Sequence, residues 1–302
     1  MHTYWAFGLT IQSEIEFPEM HPFVLMGDAD VRLMVHGAST EAYEFPAHEA
    51  LHEPQGIGRY VLNVKGVAAY VVEFGNQINI HLNDGADPGA VRLYCLSNAF
   101  AALLYQRGKI PLHASGIKIP SGTVLFMGDS GAGKSSLLLK LGTMGWNIFT
   151  DDVCVPVYSG IGKDLLVHSS YPMIKCWPDT LEKMKLDSTS AHRLRLGSDK
   201  LGFYFKGQFD LRPLKPQFVF LIEKSNVVDQ LVVRRLSGKE LFSRMSMQVY
   251  RNEHLDSVGK KAVMFDVLTQ LAKQTTAYAI ERPASQDSLD AMALAVNQKI
   301  NV

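Results

Sequence analysis

The stretch Gly128-Asp-Ser-Gly-Ala-Gly-Lys-Ser135 decides how this sequence is interpreted, because it fits the phosphate-binding loop pattern of glycine, four residues, then Gly-Lys-Ser. The apolar run from Gly122 to Met127 precedes it with the character of a buried strand, and the segment from Ser135 to Leu141 follows it with the character of a helix. The pattern thus lies between a strand and a helix, where its mechanism requires it. We therefore expect the chain to bind a nucleoside triphosphate.

Each residue type in this loop has its own task. Glycines let successive backbone N–H groups converge on phosphate oxygens, and the N-terminus of the following helix adds positive partial charge. Lys134 can reach the β and γ phosphates, and the Ser135 hydroxyl can bind Mg²⁺. The residues expected to bind the nucleotide are Gly128, Asp129, Ser130, Gly131, Ala132, Gly133, Lys134, Ser135 and Ser136. The expected cofactors are ATP and Mg²⁺.

Composition bounds the class of protein. A length of 302 residues with 47% hydrophobic residues allows one large or two modest globular domains. Thirty basic residues balance thirty acidic ones, which disfavours nucleic acid or an anionic membrane as a partner. The three cysteines, Cys95, Cys154 and Cys176, suit buried thiols in a reducing compartment, and no signal-peptide pattern is present. We expect a cytoplasmic protein, and a homo-oligomer stays open.

The apolar periodicity changes near residue 87. Residues 1–87 alternate strand-like apolar runs with turn residues, which predicts a small, mainly β N-terminal domain built as a meander of hairpins. The runs are Trp5 to Ile11, Val31 to His36, Arg59 to Lys65, Val67 to Phe74 and Gln77 to Leu82, with turns at Gly66 and Gly75.

A helical pattern over 88–106 forms the junction, and Gly108 is placed to end that helix. Residues 88–302 then mix strands and helices around the phosphate loop, so we expect an α/β domain built around that loop. Strands are expected near 112–119, 122–127, 147–158, 165–169, 217–223 and 230–235, and helices near 134–144, 237–247, 261–273 and 285–299.

Two adjacent carboxylates, Asp151 and Asp152, follow an apolar run that ends at Phe149. In an extended backbone their side chains point to opposite faces, so one can address Mg²⁺ while the other faces an acceptor hydroxyl. This division suits phosphoryl transfer, in which the protein holds metal, phosphate and nucleophile in line. His113 lies at the start of a strand that should neighbour the loop strand, where a lone histidine is usually structural.

Together, the segments Leu112-His-Ala-Ser-Gly116, 128–135 and Thr150-Asp-Asp152 resemble the catalytic domain of HPr kinase/phosphorylase, in order and in spacing. The resemblance covers residues 106–302 and implies an α/β, P-loop kinase domain of the HPr kinase type, with a mixed sheet and flanking helices. It also implies ATP-dependent phosphorylation of a serine in a peptide or protein. The family's Glu-Ile-Arg-Gly segment has no match in this sequence.

The same resemblance implies roles for the individual side chains. By position, His113 supports Asp151, which is the general base. Asp152 and Ser135 attend the metal ion. Lys134 completes the expected catalytic set.

The opening segment from Tyr4 to Ile15, with Phe17-Pro-Glu19, resembles stand-alone HPr-kinase-like proteins of ribosomal peptide pathways, including lasso peptide kinases. That resemblance implies a precursor peptide as partner, phosphorylated on a serine that in lasso pathways is the C-terminal one. A terminal carboxylate calls for cations near the active site. The candidates are Lys200, Arg193, Arg195 and Arg251.

Three other interpretations stay open. A small-molecule kinase fits the loop and the aspartates equally, because neither specifies the acceptor. A nucleotide-binding regulator without transfer activity is disfavoured, because a sensor has no need of a base. A zinc protease is the weakest: His48-Glu-Ala-Leu-His52 spells His-Glu-x-x-His, but Pro46 and Pro54 leave too little helix, so no zinc is expected there.

Overall fold

The computed structural model of the chain describes residues 1–37, 58–160, 164–186, 191–255 and 259–301. The first half forms one sheet, whose strands are β1 (His2–Ala6), β2 (Leu9–Ser13), β3 (His21–Pro22), β4 (Val31–His36), β5 (Arg59–Val64), β6 (Ala68–Glu73) and β7 (Gln77–Leu82). Their order across the sheet is β3-β1-β2-β4-β7-β6-β5.

The predicted turns at Gly66 and Gly75 are confirmed: both adopt positive φ and join β5 to β6 and β6 to β7 as antiparallel hairpins. The run predicted as one strand over Trp5 to Ile11 is two strands, because Phe7 and Gly8 both have positive φ and reverse the chain. The sheet is also not a simple meander. Strand β4 is parallel to both of its neighbours, β2 and β7. After β4 the chain forms β5 and β6 before β7, and these two strands lie on the side of β7 that faces away from β4.

The predicted junction helix is confirmed with one interruption. It comprises α1 (Pro88–Tyr94), a π-helical segment (Cys95–Ala99) and α2 (Phe100–Gln106). The Asp87 carboxylate caps its N-terminus by accepting hydrogen bonds from backbone N–H groups of the first turn, and Gly108 follows its end with φ of 71°. Every residue of α2 is buried, so the helix is a core element.

The second half is a mixed α/β arrangement. Its strands are β8 (Ala114–Ile119), β9 (Gly122–Met127), β10 (Asn147–Thr150), β11 (Cys154–Tyr158), β12 (Leu165–Ser169), β13 (Met173–Cys176), β14 (Ala191–Arg193), β15 (Leu201–Tyr204), β16 (Pro216–Ser225), β17 (Val232–Leu236) and β18 (Thr276–Pro283). Its helices are α3 (Lys134–Thr143), α4 (Pro178–Lys183), α5 (Gly238–Ser246), α6 (Lys261–Gln274) and α7 (Leu289–Ile300).

The large sheet of this half has the order β10-β8-β9-β16-β18-β17, in which β9, β16 and β18 are parallel. Successive residues of β9 face opposite sides: Leu125 packs in a cluster with α5 and α6, and Phe126 packs in a cluster with α3 and α7. Helices therefore cover both faces. Small sheets β11-β12 and β13-β15-β14 lie beside it. In the described parts of the chain, no helix is both long and apolar enough to cross a membrane.

In the second half, one predicted strand is divided in the structure and one inner strand lies outside the predicted set. The strand predicted over 147–158 is broken into β10 and β11, because Asp152 has φ of 67° and the backbone turns there. Strand β18 was not predicted, although it lies inside the sheet between β16 and β17. Its sequence contains the charged residues Glu281 and Arg282, so it lacks the continuous apolar run typical of an inner strand.

Candidate functional site

The sheet brings three predicted segments to one edge. Strands β8 and β9 are antiparallel and pair Ala114 with Met127, so the start of β8 lies beside the end of β9. Strand β10 is antiparallel to β8, so its end reaches the same edge. His113 precedes β8, the loop 128–133 follows β9 and Asp151 follows β10. Residues far apart in the chain thus converge.

The phosphate-binding loop lies between β9 and α3, as the sequence predicts. Gly128 has φ of 147°, and a Cβ atom there would lie 2.3 Å from the carbonyl oxygen of Ile222 on β16, so a larger residue does not fit. The Nζ of Lys134 donates hydrogen bonds to the carbonyl oxygens of Gly128 (2.6 Å) and Asp129 (3.2 Å). Burial lowers the pKa of Lys134. The lysine is thus folded back over its own loop.

Asp151 is a buried carboxylate held on every side. Its Oδ1 accepts hydrogen bonds from Ser115 Oγ at 2.6 Å and Ser135 Oγ at 3.0 Å, and its Oδ2 accepts one from the backbone N–H of Lys175 at 3.0 Å. Burial raises its pKa, and the neighbouring charge of Asp152 raises it further. Ser135 is the hydroxyl of the loop motif, so the structure places the carboxylate of Asp151 directly against that hydroxyl.

Asp152 faces the other way. Its Oδ2 accepts a hydrogen bond from Lys175 Nζ at 2.7 Å, and its Oδ1 lies 3.7 Å from His113 Nε2. Burial favours the neutral acid, but the Lys175 ammonium and the His113 ring outweigh it and hold the pKa of Asp152 at about 2. The structure therefore pairs His113 with Asp152, and the expected support of Asp151 by His113 is wrong. The two side chains diverge because the backbone turns at Asp152, not because it is extended.

A backbone hydrogen bond fixes the position of His113. Its backbone N–H donates to the carbonyl oxygen of Gln248 at 2.7 Å. Burial lowers the pKa of its ring to about 4, and the charge of Lys134 lowers it too, so the imidazole is neutral at pH 7.

Sequence reasoning missed two residues of the site, Lys175 and Gln248. Lys175 contacts both aspartates from β13, and the charge of Asp152 raises its pKa well above the usual value despite burial. The Gln248 side chain accepts a hydrogen bond from the Gly128 N–H (3.1 Å) and donates one to Asp129 Oδ1 (3.2 Å). A lysine inside the apolar run of β13 is the one hint that sequence reasoning could have used.

Two adjoining cavities border side chains of the site. The phosphate cavity, about 230 Å³, is lined by His113, Ser130, Gly131, Gly133, Lys134, Ser135, Ser136, Asp151, Asp152, Lys175, Cys176, Trp177, Lys200 and Arg282. The large cavity, about 680 Å³, is not lined by Asp151 and shares six residues with the phosphate cavity: His113, Ser130, Asp152, Lys175, Trp177 and Lys200. Asp152 thus borders both spaces.

Three of the four predicted substrate cations line the large cavity: Arg195, Lys200 and Arg251. Arg193 lies exposed on β14 and does not line it. The Lys200 ammonium lies 5.2 Å from the ring centroid of Trp177, and Arg251 donates to Asn98 Oδ1 at 3.2 Å. These contacts leave both cations at the cavity wall.

Across residues 1–37, 58–160, 164–186, 191–255 and 259–301, no cluster of three or more His, Cys, Asp or Glu side chains could hold a metal ion. Mg²⁺ at a nucleotide site commonly takes one or two protein ligands together with phosphate oxygens. Ser135 with Asp151 fits that pattern. The motif His48 to His52 lies outside the described residues.

Comparison with known proteins finds similarity at the level of structure and not of sequence families. Neither a protein-family model nor a curated protein matches this sequence. Among solved structures, the chain is similar to the HPr(Ser) kinase/phosphatase from Coxiella burnetii, with 14% identity and a TM-score of 0.32 over 63% of this chain and 91% of that chain. The function is therefore inferred from the geometry of the site.

Proposed function

We propose that this protein is a phosphotransferase that binds ATP with Mg²⁺ at the loop 128–135 and transfers the γ-phosphoryl group to a hydroxyl in the large cavity. One observation carries the proposal: Asp152 borders both cavities, whereas Asp151 borders the phosphate cavity alone. A carboxylate at the boundary between donor and acceptor is what in-line phosphoryl transfer requires.

The resemblance implies that Asp151 is the general base and that Asp152 attends the metal ion. The proposed roles of the two aspartates are the reverse. Asp151 is hydrogen-bonded to Ser135, the hydroxyl expected on Mg²⁺, so Asp151 takes the metal side. Asp152 lies beside His113 and faces the large cavity, so it takes the acceptor side.

The chemistry follows from the charge states. With a pKa of about 2, the Asp152 carboxylate is ionised at pH 7 and can accept a hydrogen bond from the acceptor hydroxyl, which orients it. As the new O–P bond forms, the bond from the γ-phosphorus to the β–γ bridging oxygen breaks, ADP leaves and the hydroxyl proton passes to Asp152. A weak base suffices because the transition state is loose and the proton moves late. Lys134 offsets the charge on the phosphates.

We further propose a serine of a peptide or small protein as the acceptor. The large cavity combines the cations Arg195, Lys200 and Arg251 with exposed apolar side chains, Trp177 (51% exposed) and Met247 (61% exposed). A peptide offers both apolar side chains and carboxylate or carbonyl oxygens to such a wall. On the resemblance of the opening segment from Tyr4 to Ile15 to lasso peptide kinases, we propose the C-terminal serine of a precursor peptide as the specific acceptor.

The test is incubation of the protein with Mg²⁺, ATP and a panel of serine peptides, followed by mass spectrometry. Phosphate on serine, removable by alkali, is expected from the wild type and not from Lys134→Ala. Phosphorylation of small hydroxyl compounds with all peptides unmodified would replace the peptide by a small-molecule acceptor. ATP binding without any transfer would identify a regulator.

A further inference from the structure

A third cavity adjoins the phosphate cavity, and Asp152 does not line it. This Arg282 cavity, about 290 Å³, is lined by Gly133, Ser136, Asp179, Thr180, Lys183, Met184, Arg282, Asp287, Ser288, Leu289 and Met292. Gly133, Ser136 and Arg282 also line the phosphate cavity, whereas none of its residues lines the large cavity. The three cavities therefore form a row, with the phosphate cavity in the middle.

The wall of the Arg282 cavity is built from polar and apolar groups. The guanidinium of Arg282 is anchored by a hydrogen bond from Nε to the carbonyl oxygen of Ala132 at 2.9 Å, which holds it against the phosphate loop. Met184 and Met292 supply thioether side chains. A Cβ atom added to Gly133 would lie 3.8 Å from both Met292 Cε and Arg282 Nε, so the loop borders this wall directly.

One group in this wall lacks a partner. The Oγ of Ser288 is buried and makes no hydrogen bond to any of the described residues. An unsatisfied buried hydroxyl costs free energy, so it marks a place where a ligand group can bind. Ser288 precedes α7, and its side chain makes no capping hydrogen bond to that helix.

We infer that the Arg282 cavity binds the nucleoside half of ATP, an inference that rests on the proposed function. The γ-phosphate has to face Asp152, so the nucleoside lies at the opposite end of the row. The Arg282 guanidinium then meets the α-phosphate end, Ser288 Oγ bonds a ribose hydroxyl or base atom, and Met184 and Met292 contact the base.

A fourth cavity, which we call the competing cavity, is less suitable for binding the nucleoside. It measures about 380 Å³, is lined by Gly128, Lys224 and Met247 among others, and shares Ser130 alone with the phosphate cavity. Ser130 and Met247 also line the large cavity, so this space lies on the acceptor side of the loop. A nucleoside there would direct the γ-phosphate away from Asp152.

The experiment compares two probes by isothermal titration calorimetry in the presence of Mg²⁺: ADP, which carries a nucleoside, and inorganic tripolyphosphate, which does not. Met184→Glu and, independently, Ser288→Ala alter the Arg282 cavity. Met144→Glu is the matched control, because Met144 is also a partly exposed methionine but lies at the far end of α3. Met247→Glu probes the competing cavity.

We expect Met184→Glu to weaken ADP binding by about tenfold or more and Ser288→Ala by about threefold to tenfold, with tripolyphosphate affinity within about twofold of wild type. Met144→Glu and Met247→Glu should leave ADP affinity unchanged. Unchanged ADP affinity in Ser288→Ala and in folded Met184→Glu, or a selective loss in Met247→Glu, would overturn the inference. Lys134→Ala tests the proposed function separately. If this variant binds both ADP and tripolyphosphate as tightly as the wild type, the proposed function itself fails.

Discussion

The Nζ atom of Lys175 lies 2.7 Å from Oδ2 of Asp152, with both side chains more than three-quarters buried. Burial opposes the ionised carboxylate, and the ammonium is the largest single effect that restores it. In Lys175→Met we therefore expect the pKa of Asp152 to rise and the acid limb of the pH profile of kcat/KM to move toward neutral pH. Lys175→Arg should restore most of the wild-type profile. A Lys175→Met enzyme with reduced activity but an unshifted profile would reduce Lys175 to a structural role.

Substitution by asparagine should have different effects at the two aspartates. Asp152→Asn keeps size but removes the proton acceptor, so phosphoryl transfer should fall by about 10²-fold or more while ATP affinity stays within a few-fold. Asp151→Asn alters the partner of Ser135, so the Mg²⁺ concentration for half-maximal activity should rise instead. Steady-state kinetics over a Mg²⁺ series distinguish the two variants. If Asp151→Asn abolished transfer and Asp152→Asn instead raised the Mg²⁺ requirement, Asp151 would be the general base.

His168 makes the folded chain sensitive to acid. Burial lowers the pKa of its ring from 6.5 to about 4, and the charge of Lys109 adds to this. The unfolded chain therefore binds a proton between pH 6.5 and 4 that the folded chain does not. Stability is fully present above pH 6.5 and is lost as pH falls toward 4, with the unfolding equilibrium constant rising up to about tenfold per pH unit from this residue.

Urea unfolding at pH 7 and pH 5 measures the effect of this residue. His168→Gln should reduce the loss of stability between the two pH values, whereas His192→Gln controls for the removal of an exposed imidazole. Equal losses in the wild type and in His168→Gln would show that other groups carry the acid sensitivity.

Gly89 positions one wall of the large cavity. A Cβ atom at Gly89 would lie 2.5 Å from the carbonyl oxygen of Leu194, and Asp87 Oδ2 accepts a hydrogen bond from the Leu196 N–H at 2.9 Å. Gly89→Ala should therefore displace the segment that carries Arg195 and raise the KM for the acceptor by about threefold to tenfold, with the KM for ATP unchanged. Gly37→Ala is the control, because a Cβ atom there meets nothing within 4 Å. An equal rise in both KM values would indicate general destabilisation.

The parts of the site predicted from sequence are those with a local pattern. The loop 128–135 was found because spacing alone identifies it, and the helix over 88–106 because its apolar residues recur with a helical period. Lys175 and Gln248 were missed because their roles depend on distant partners. Lys175 lies 23 residues from Asp152 in the chain, and Gln248 lies 120 residues from Gly128. The pairing of His113 was wrong because the φ of Asp152, which directs its side chain, leaves no mark in an apolar pattern.

Phe7 links the first strands of the chain to the site without touching it. Its ring stacks on Phe100 of α2, with centroids 5.0 Å apart, and meets Tyr171 edge-on at 5.6 Å, just before the strand that carries Lys175. The same hydrophobic cluster includes Val153, next to the aspartates. A genetic screen for lost activity should therefore recover substitutions among the first dozen residues as well as around the phosphates. Ranking variants by their distance from the nucleotide would miss them.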